Sequence, residues 1–126
     1  MGNSAVLLVE DNDINRDMLT RRLTRAGLTV ITATDGICAL EMMREHQPGV
    51  VLMDMTLPIL DGWEATQKAK EDPVIAEIPI IALTAHAMAA DKERAMNVGC
   101  SEYETKPIDF PALLAKIYQF LEGSDS

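Results

Sequence analysis

Positive charge is scarce in this sequence. Eleven lysines and arginines face twenty acidic residues, for a formal net charge of −9. A nucleic-acid surface, which needs a basic patch, is therefore not expected. Cysteine is scarce as well: only Cys38 and Cys100 occur, and neither stands in a CxxC pair. Two reduced thiols in a cytosolic protein fit this better than a disulfide. No apolar run is long enough to span a bilayer, and residues 1–5 lack the basic start and apolar stretch of a secretory signal. The expectation is a cytoplasmic chain with no membrane or nucleic-acid partner. No repeat, low-complexity tract or linker divides it. What is present is 48% hydrophobic and 25% charged residues over 126 positions, the balance and length of one globular domain. Residues 1–126 read as a single unit, with a core over 5–121 and a polar tail over 122–126.

Hydrophobic patterning gives a strict alternation of elements. Residues 5–9 are a continuous apolar run that stops at Glu10 and Asp11, as a buried parallel strand does. Asp13 is a candidate cap for the helix after it, in which Ile14, Met18, Leu19, Leu23 and Ala26 recur at helical spacing before Gly27 stops it. Residues 29–33 read as a second strand and 37–46 as a helix with Leu40 and Met43 inward; Pro48 and Gly49 break it. The most apolar strand, residues 50–53, ends at Asp54. A loop over 56–62, a helix over 63–72 and a strand over 78–83 follow. Then come an alanine-rich helix over 88–98 with a thin apolar face and a short strand over 101–105. In the last helix Asp109 is the candidate cap and Pro111 lies in the first turn. Leu113, Leu114, Ile117, Tyr118 and Leu121 form its inner stripe. Five strands alternating with five helices call for a doubly wound parallel sheet, and the five-stranded order 2-1-3-4-5 is the common flavodoxin-like (βα)5 solution.

The chemistry gathers at the strand ends: Glu10 and Asp11 after strand one, Asp54 after strand three, Thr84 after strand four, Lys106 after strand five. Ligands of open α/β sheets bind there, where strand order reverses, which in this order lies between strands one and three. Two carboxylates about 4 Å apart repel by roughly 4 kcal/mol at an effective dielectric near 20. Three together hold a proton or a cation, and an all-oxygen set with few protein ligands favours Mg²⁺. A zinc site would want histidine or cysteine, and only His86 lies close to a strand end. Aspartate is also a covalent acceptor of phosphoryl groups, and Asp54 is the central candidate.

Val9-Glu10-Asp11-Asn12, Leu52-Met53-Asp54-Met55, Pro58, Asp61-Gly62, Ala82-Leu83-Thr84-Ala85, Tyr103 and Lys106-Pro107 occur in that order. Together, over residues 5–121, they resemble the receiver domain of two-component response regulators. The resemblance implies that Asp54 is the phosphoacceptor, charged by a histidine kinase or a histidine phosphotransfer protein. It implies Mg²⁺, with Mn²⁺ as a substitute, on Asp11 and Asp54, on Glu10 through water and on the backbone carbonyl of Thr56. Thr84 and Lys106 would contact the phosphoryl group, and Tyr103 would be the aromatic switch. Met55, Ala85 and His86 would form the site rim, and the bond before Pro107 would be cis. The implied role is signalling rather than enzymatic, with assistance to its own phosphorylation and dephosphorylation. A surface of helix 4, strand 5 and helix 5 would control a downstream protein.

The sequence departs from the usual pattern at Glu10, where aspartate is common, and at Glu104, where an aliphatic residue is common. Thr56 and His86 stand at positions that tune phosphoryl loss. Three rivals share the topology, and the complete residue set argues against one of them, a receiver-like interaction module that never becomes phosphorylated. An aspartyl-nucleophile phosphatase would carry a second aspartate where Thr56 stands. A flavin carrier would need a hydroxyl- and glycine-rich loop where residues 10–13 are acidic or amide.

Overall fold

A computed structural model of the chain describes residues 5–85 and 89–123. Within them five parallel strands alternate with five helices. The elements run β1 (Val6–Val9), α1 (Asp13–Arg25), β2 (Val30–Ala33), α2 (Gly36–His46), β3 (Val50–Asp54) and α3 (Gly62–Glu71). They continue as β4 (Ile80–Thr84), α4 (Ala89–Asn97), β5 (Glu102–Thr105) and α5 (Phe110–Gly123). The sheet order is β2-β1-β3-β4-β5, the flavodoxin-like arrangement expected from the alternation.

The continuous apolar runs become the strands because both faces of the sheet are covered. Every residue of β1, β3 and β4 is buried. Side chains alternate between two cores. Val51, Met53 and Met55 pack with Leu40, Met43, Ala65, Ala69 and Ala95 beneath α2, α3 and α4. Val50, Leu52, Ile81 and Leu83 pack with Leu23, Leu113 and Ile117 beneath α1 and α5. Burial of each large side chain contributes about 1.5–3 kcal/mol, so the central strands form the rigid part of the molecule. Cys38 and Cys100 are both free.

Local signals fix the helix ends with small shifts from expectation. Asn12, not Asp13, caps α1: its side chain accepts from the Asn15 amide at 2.9 Å. Asp13 is already helical and pairs with Arg16. Asp35 and Asp61 cap α2 and α3 through the amides of Cys38 and Glu64. Asp109 accepts from the Ala112 amide at 3.2 Å, as the sequence suggests. The apolar residues of α1 do not all face inward. Leu23 is buried, whereas Ile14 is 77% and Met18 50% exposed. Residues 88 and 124–126, which include the expected start of α4 and most of the expected tail, lie outside the described residues.

The edge strand β5 differs from the centre, since all its residues are only half-buried. Lys116 of α5 fastens it, donating to the Tyr103 carbonyl at 2.9 Å and to Glu104 Oε2 at 2.6 Å.

Candidate functional site

The register of the strands brings the acidic groups together. Val9 pairs with Met53 across β1 and β3, so the residues just beyond them, Glu10, Asp11 and Asp54, emerge side by side. Carboxylate oxygens of all three lie within 4.8 Å of one another. Glu10 and Asp54 are buried and Asp11 is exposed, which leaves the cluster open on one side.

Backbone and side-chain donors hold these groups in place. The Thr56 amide donates to Asp54 Oδ1 at 2.9 Å, and the Asn12 amide to Glu10 Oε2 at 3.2 Å. Lys106 Nζ lies 2.9 Å from Asp54 Oδ2 and 3.4 Å from Glu10 Oε1. The Lys106 amide donates to the Thr84 carbonyl at 2.8 Å, and the Lys106-Pro107 peptide is cis. The ion pairs and the Thr84 contact place the ammonium over the strand ends.

Charge crowding is visible in the proton equilibria. Burial, and then the neighbouring Asp54 carboxylate, raise Glu10 from its ordinary value near 4.5 to about 7. Burial alone would lower the Lys106 pKa, but the hydrogen bond and charge of Asp54, joined by Glu10, outweigh it and hold it up. Three carboxyl groups crowd the single ammonium of Lys106, and Glu10 answers the crowding by holding its proton up to about pH 7. The set is therefore suited to a hard divalent cation, which would neutralise it and displace the Glu10 proton.

Other expected residues fall as follows. Thr84 is buried at the end of β4. Ala82 pairs with Tyr103 in the β4–β5 register, and alternate residues share a face, so Thr84 and Tyr103 lie on the same side of the sheet. Burial, with Asp91 of α4 as a second cause, raises the Tyr103 phenol. Ala85 is exposed at the mouth. His86 lies outside the described residues. Met55 is not a rim residue: its side chain is 2% exposed and belongs to the core. The reason is that alternation past Asp54 turns it into the layer under α2 and α3.

One residue escaped the sequence reading. Arg16 Nη1 donates to the Glu10 carbonyl at 3.0 Å, tying the first turn of α1 to the acidic loop. Its only signal is its position one turn after the Asn12 cap. Gly62 is a second structural requirement. A side chain there would collide with the Asp54 carbonyl and come within 2.6 Å of Met55 Cα, so glycine lets α3 start directly on the backbone of Asp54.

Known proteins share this fold. A family model described as the response regulator receiver domain matches residues 6–118. The polar-differentiation response regulator DivK of Brucella anthropi is 38% identical over 117 residues, covering 93% of this chain and 95% of that protein. Among solved structures, the receiver domain of sensor histidine kinase PA1611 from Pseudomonas aeruginosa PAO1 was determined with a magnesium ion coordinated in its active-site cleft. It is 32% identical with a TM-score of 0.87, covering 96% of this chain and 99% of that one. The chemotaxis protein CheY4 of Vibrio cholerae is 27% identical with a TM-score of 0.86, covering 94% and 99%. With a family model over residues 6–118 and a relative 38% identical over 93% of the chain, the chain belongs to the response regulator receiver domain family.

Proposed function

We propose that the chain accepts a phosphoryl group on Asp54 from a phosphohistidine in a histidine kinase or a histidine phosphotransfer protein. One observation carries this reading: three carboxylates and Lys106 converge at the open end of the sheet. In the transfer, an Asp54 carboxylate oxygen attacks phosphorus. An O–P bond forms as the P–N bond breaks, and the imidazole leaves with the electron pair and takes a proton from solvent. Lys106 balances charge on the transferred oxygens, and the Thr56 amide keeps the carboxylate oriented for in-line attack. Glu10, Asp11, Asp54 and the Thr56 carbonyl are the residues to hold Mg²⁺, with Mn²⁺ as a substitute, and the ion would supply positive charge against the phosphoryl oxygens.

The product adds about −1.5 to −2 charges to a site already acidic. Thr84 and Lys106 answer that change, and Tyr103, on the same side of the sheet as Thr84, passes it to the surface of α4, β5 and α5, where a downstream protein binds. A cytoplasmic setting suits such a partner; among the described residues no helix is long and apolar enough to cross a membrane.

The donor is proposed to seat on α1. A groove of about 400 Å³ opens beside Glu10 and Lys106 and is lined by Met18, Leu19, Pro107 and Ile108. Arg16, Arg21, Arg22 and Arg25 outnumber Asp13 and Asp17, with which Arg16 and Arg21 pair, and leave α1 basic on an acidic chain, so an apolar surface with an acidic rim fits it. Arg21→Glu combined with Arg25→Glu should slow transfer from a protein donor several-fold and leave reaction with acetyl phosphate unchanged.

Intact-mass measurement after incubation with Mg²⁺ and acetyl phosphate tests the central claim. A single base-labile phosphoryl adduct is expected, absent in Asp54→Asn and absent after chelation. No adduct with any donor would sink the phosphoacceptor reading, and an adduct formed without metal would refute the metal role.

A further inference from the structure

Helix α4 is held on the molecule by little. Among its described side chains only Ala95 is buried, and Met96 is 46% exposed. Its flank toward α3 does not pack as ridges in grooves. An open cleft of about 490 Å³ lies there, lined by Gln67, Lys70, Ala90, Glu93 and Asn97 among others. Lys70 does not bridge the cleft, because its Nζ donates to the carbonyls of Ala76 at 3.0 Å and Ile78 at 2.8 Å.

Among the described residues, a ring stack spans it. The Arg94 guanidinium of α4 lies over the Trp63 ring of α3, 4.2 Å from its centroid. Trp63 is not an arbitrary anchor. It follows Gly62, whose amide donates to the Met55 carbonyl at 3.1 Å and whose missing side chain lets α3 rest on the Asp54 carbonyl. The backbone of the acidic aspartate therefore reaches α4 through two adjacent α3 residues and one stacked side chain. This path is separate from the one through Thr84 and Tyr103.

We propose that Arg94 and Trp63 form a clasp that holds α4 in the position belonging to unmodified Asp54, and so sets how readily the domain switches. The proposal rests on the phosphoacceptor reading of Asp54 and adds a regulatory device to it. A cation–π stack at a partly exposed site shifts an equilibrium by about two- to five-fold. That is large enough to tune a switch and small enough not to lock it. Coupling is reciprocal: if the clasp opposes the modified state, removing it must favour a phosphoryl mimic at Asp54 by the same factor.

The test uses the wild-type chain and two variants at the exposed Arg94, Arg94→Ala and Arg94→Lys. Without any mimic, amide exchange at Val98 and Cys100, which bond to the Arg94 and Ala95 carbonyls, should quicken about two- to five-fold in Arg94→Ala. Titration with beryllofluoride in the presence of Mg²⁺ should show a gain in apparent affinity of the same size, with Arg94→Lys between the two. Trp63 is the only tryptophan, so its emission should change on titration in the wild type and much less in Arg94→Ala. Unchanged exchange in Arg94→Ala overturns the clasp. Quickened exchange with unchanged or weakened beryllofluoride affinity overturns its coupling to Asp54. A wild-type chain that binds no beryllofluoride sinks the phosphoacceptor reading and the coupling with it, while the exchange result still decides whether Arg94 holds α4.

Discussion

The strands β3 and β4 and the flank made of α4 and β5 are built on opposite terms. Every residue of β3 and β4 is buried, between helices on both faces. No residue of β5 is buried, and α4 contributes one buried alanine among its described side chains. The first region fixes Asp54 within hydrogen-bonding reach of Lys106, which needs precision. The second is cheap to displace, since few buried contacts must be broken. A domain that must hold a reactive site still and yet report its state has reason to keep the two apart.

That contrast can be broken by measurement. Leu52 is fully buried in β3, and Leu52→Ala should cost about 2–5 kcal/mol in denaturant unfolding. Gly62→Ala pushes backbone against backbone at Asp54. It should cost about 1–3 kcal/mol and slow adduct formation by acetyl phosphate, because the Asp54 carbonyl has to move. Glu10 gives a pH effect confined to the rigid region. The folded, metal-free chain keeps this proton up to about pH 7, whereas the ordinary value is near 4.5. Between those values the folded state binds more protons, so stability falls as pH rises through the window. Thermal melts in chelator should show that fall, and Glu10→Gln should flatten it. Met96→Ser on α4 should change stability by no more than about 0.5 kcal/mol. If it costs as much as Leu52→Ala, the contrast between frame and flank is wrong.

The sequence made the frame legible because its signals are local. Apolar runs ending at Glu10, Asp54 and Thr84 mark three strands and the polar groups at their ends at once, and the alternation of elements restricts the sheet order. Cap positions slipped by one at Asn12, since either of two adjacent polar residues satisfies the pattern. Helical spacing grouped Ile14 and Met18 with Leu23, but spacing says nothing about whether a partner covers that stretch, and nothing in the described structure does. The family resemblance implied a rim position for Met55, and strand alternation sent its side chain inward. The stack of Arg94 on Trp63 joins residues far apart in the chain, and only the fold brings them together.

The fastening of β5 by Lys116 has a consequence for crowded solutions. β5 is the open margin of the sheet, where another strand from a second molecule would add. Glu102 and Glu104 alternate along it, and Lys116 already occupies the Tyr103 carbonyl. A second β5 approaching side by side would set like charges against each other and find one acceptor taken. Such an edge is a poor template for strand addition, which favours a protein that stays dispersed at high concentration.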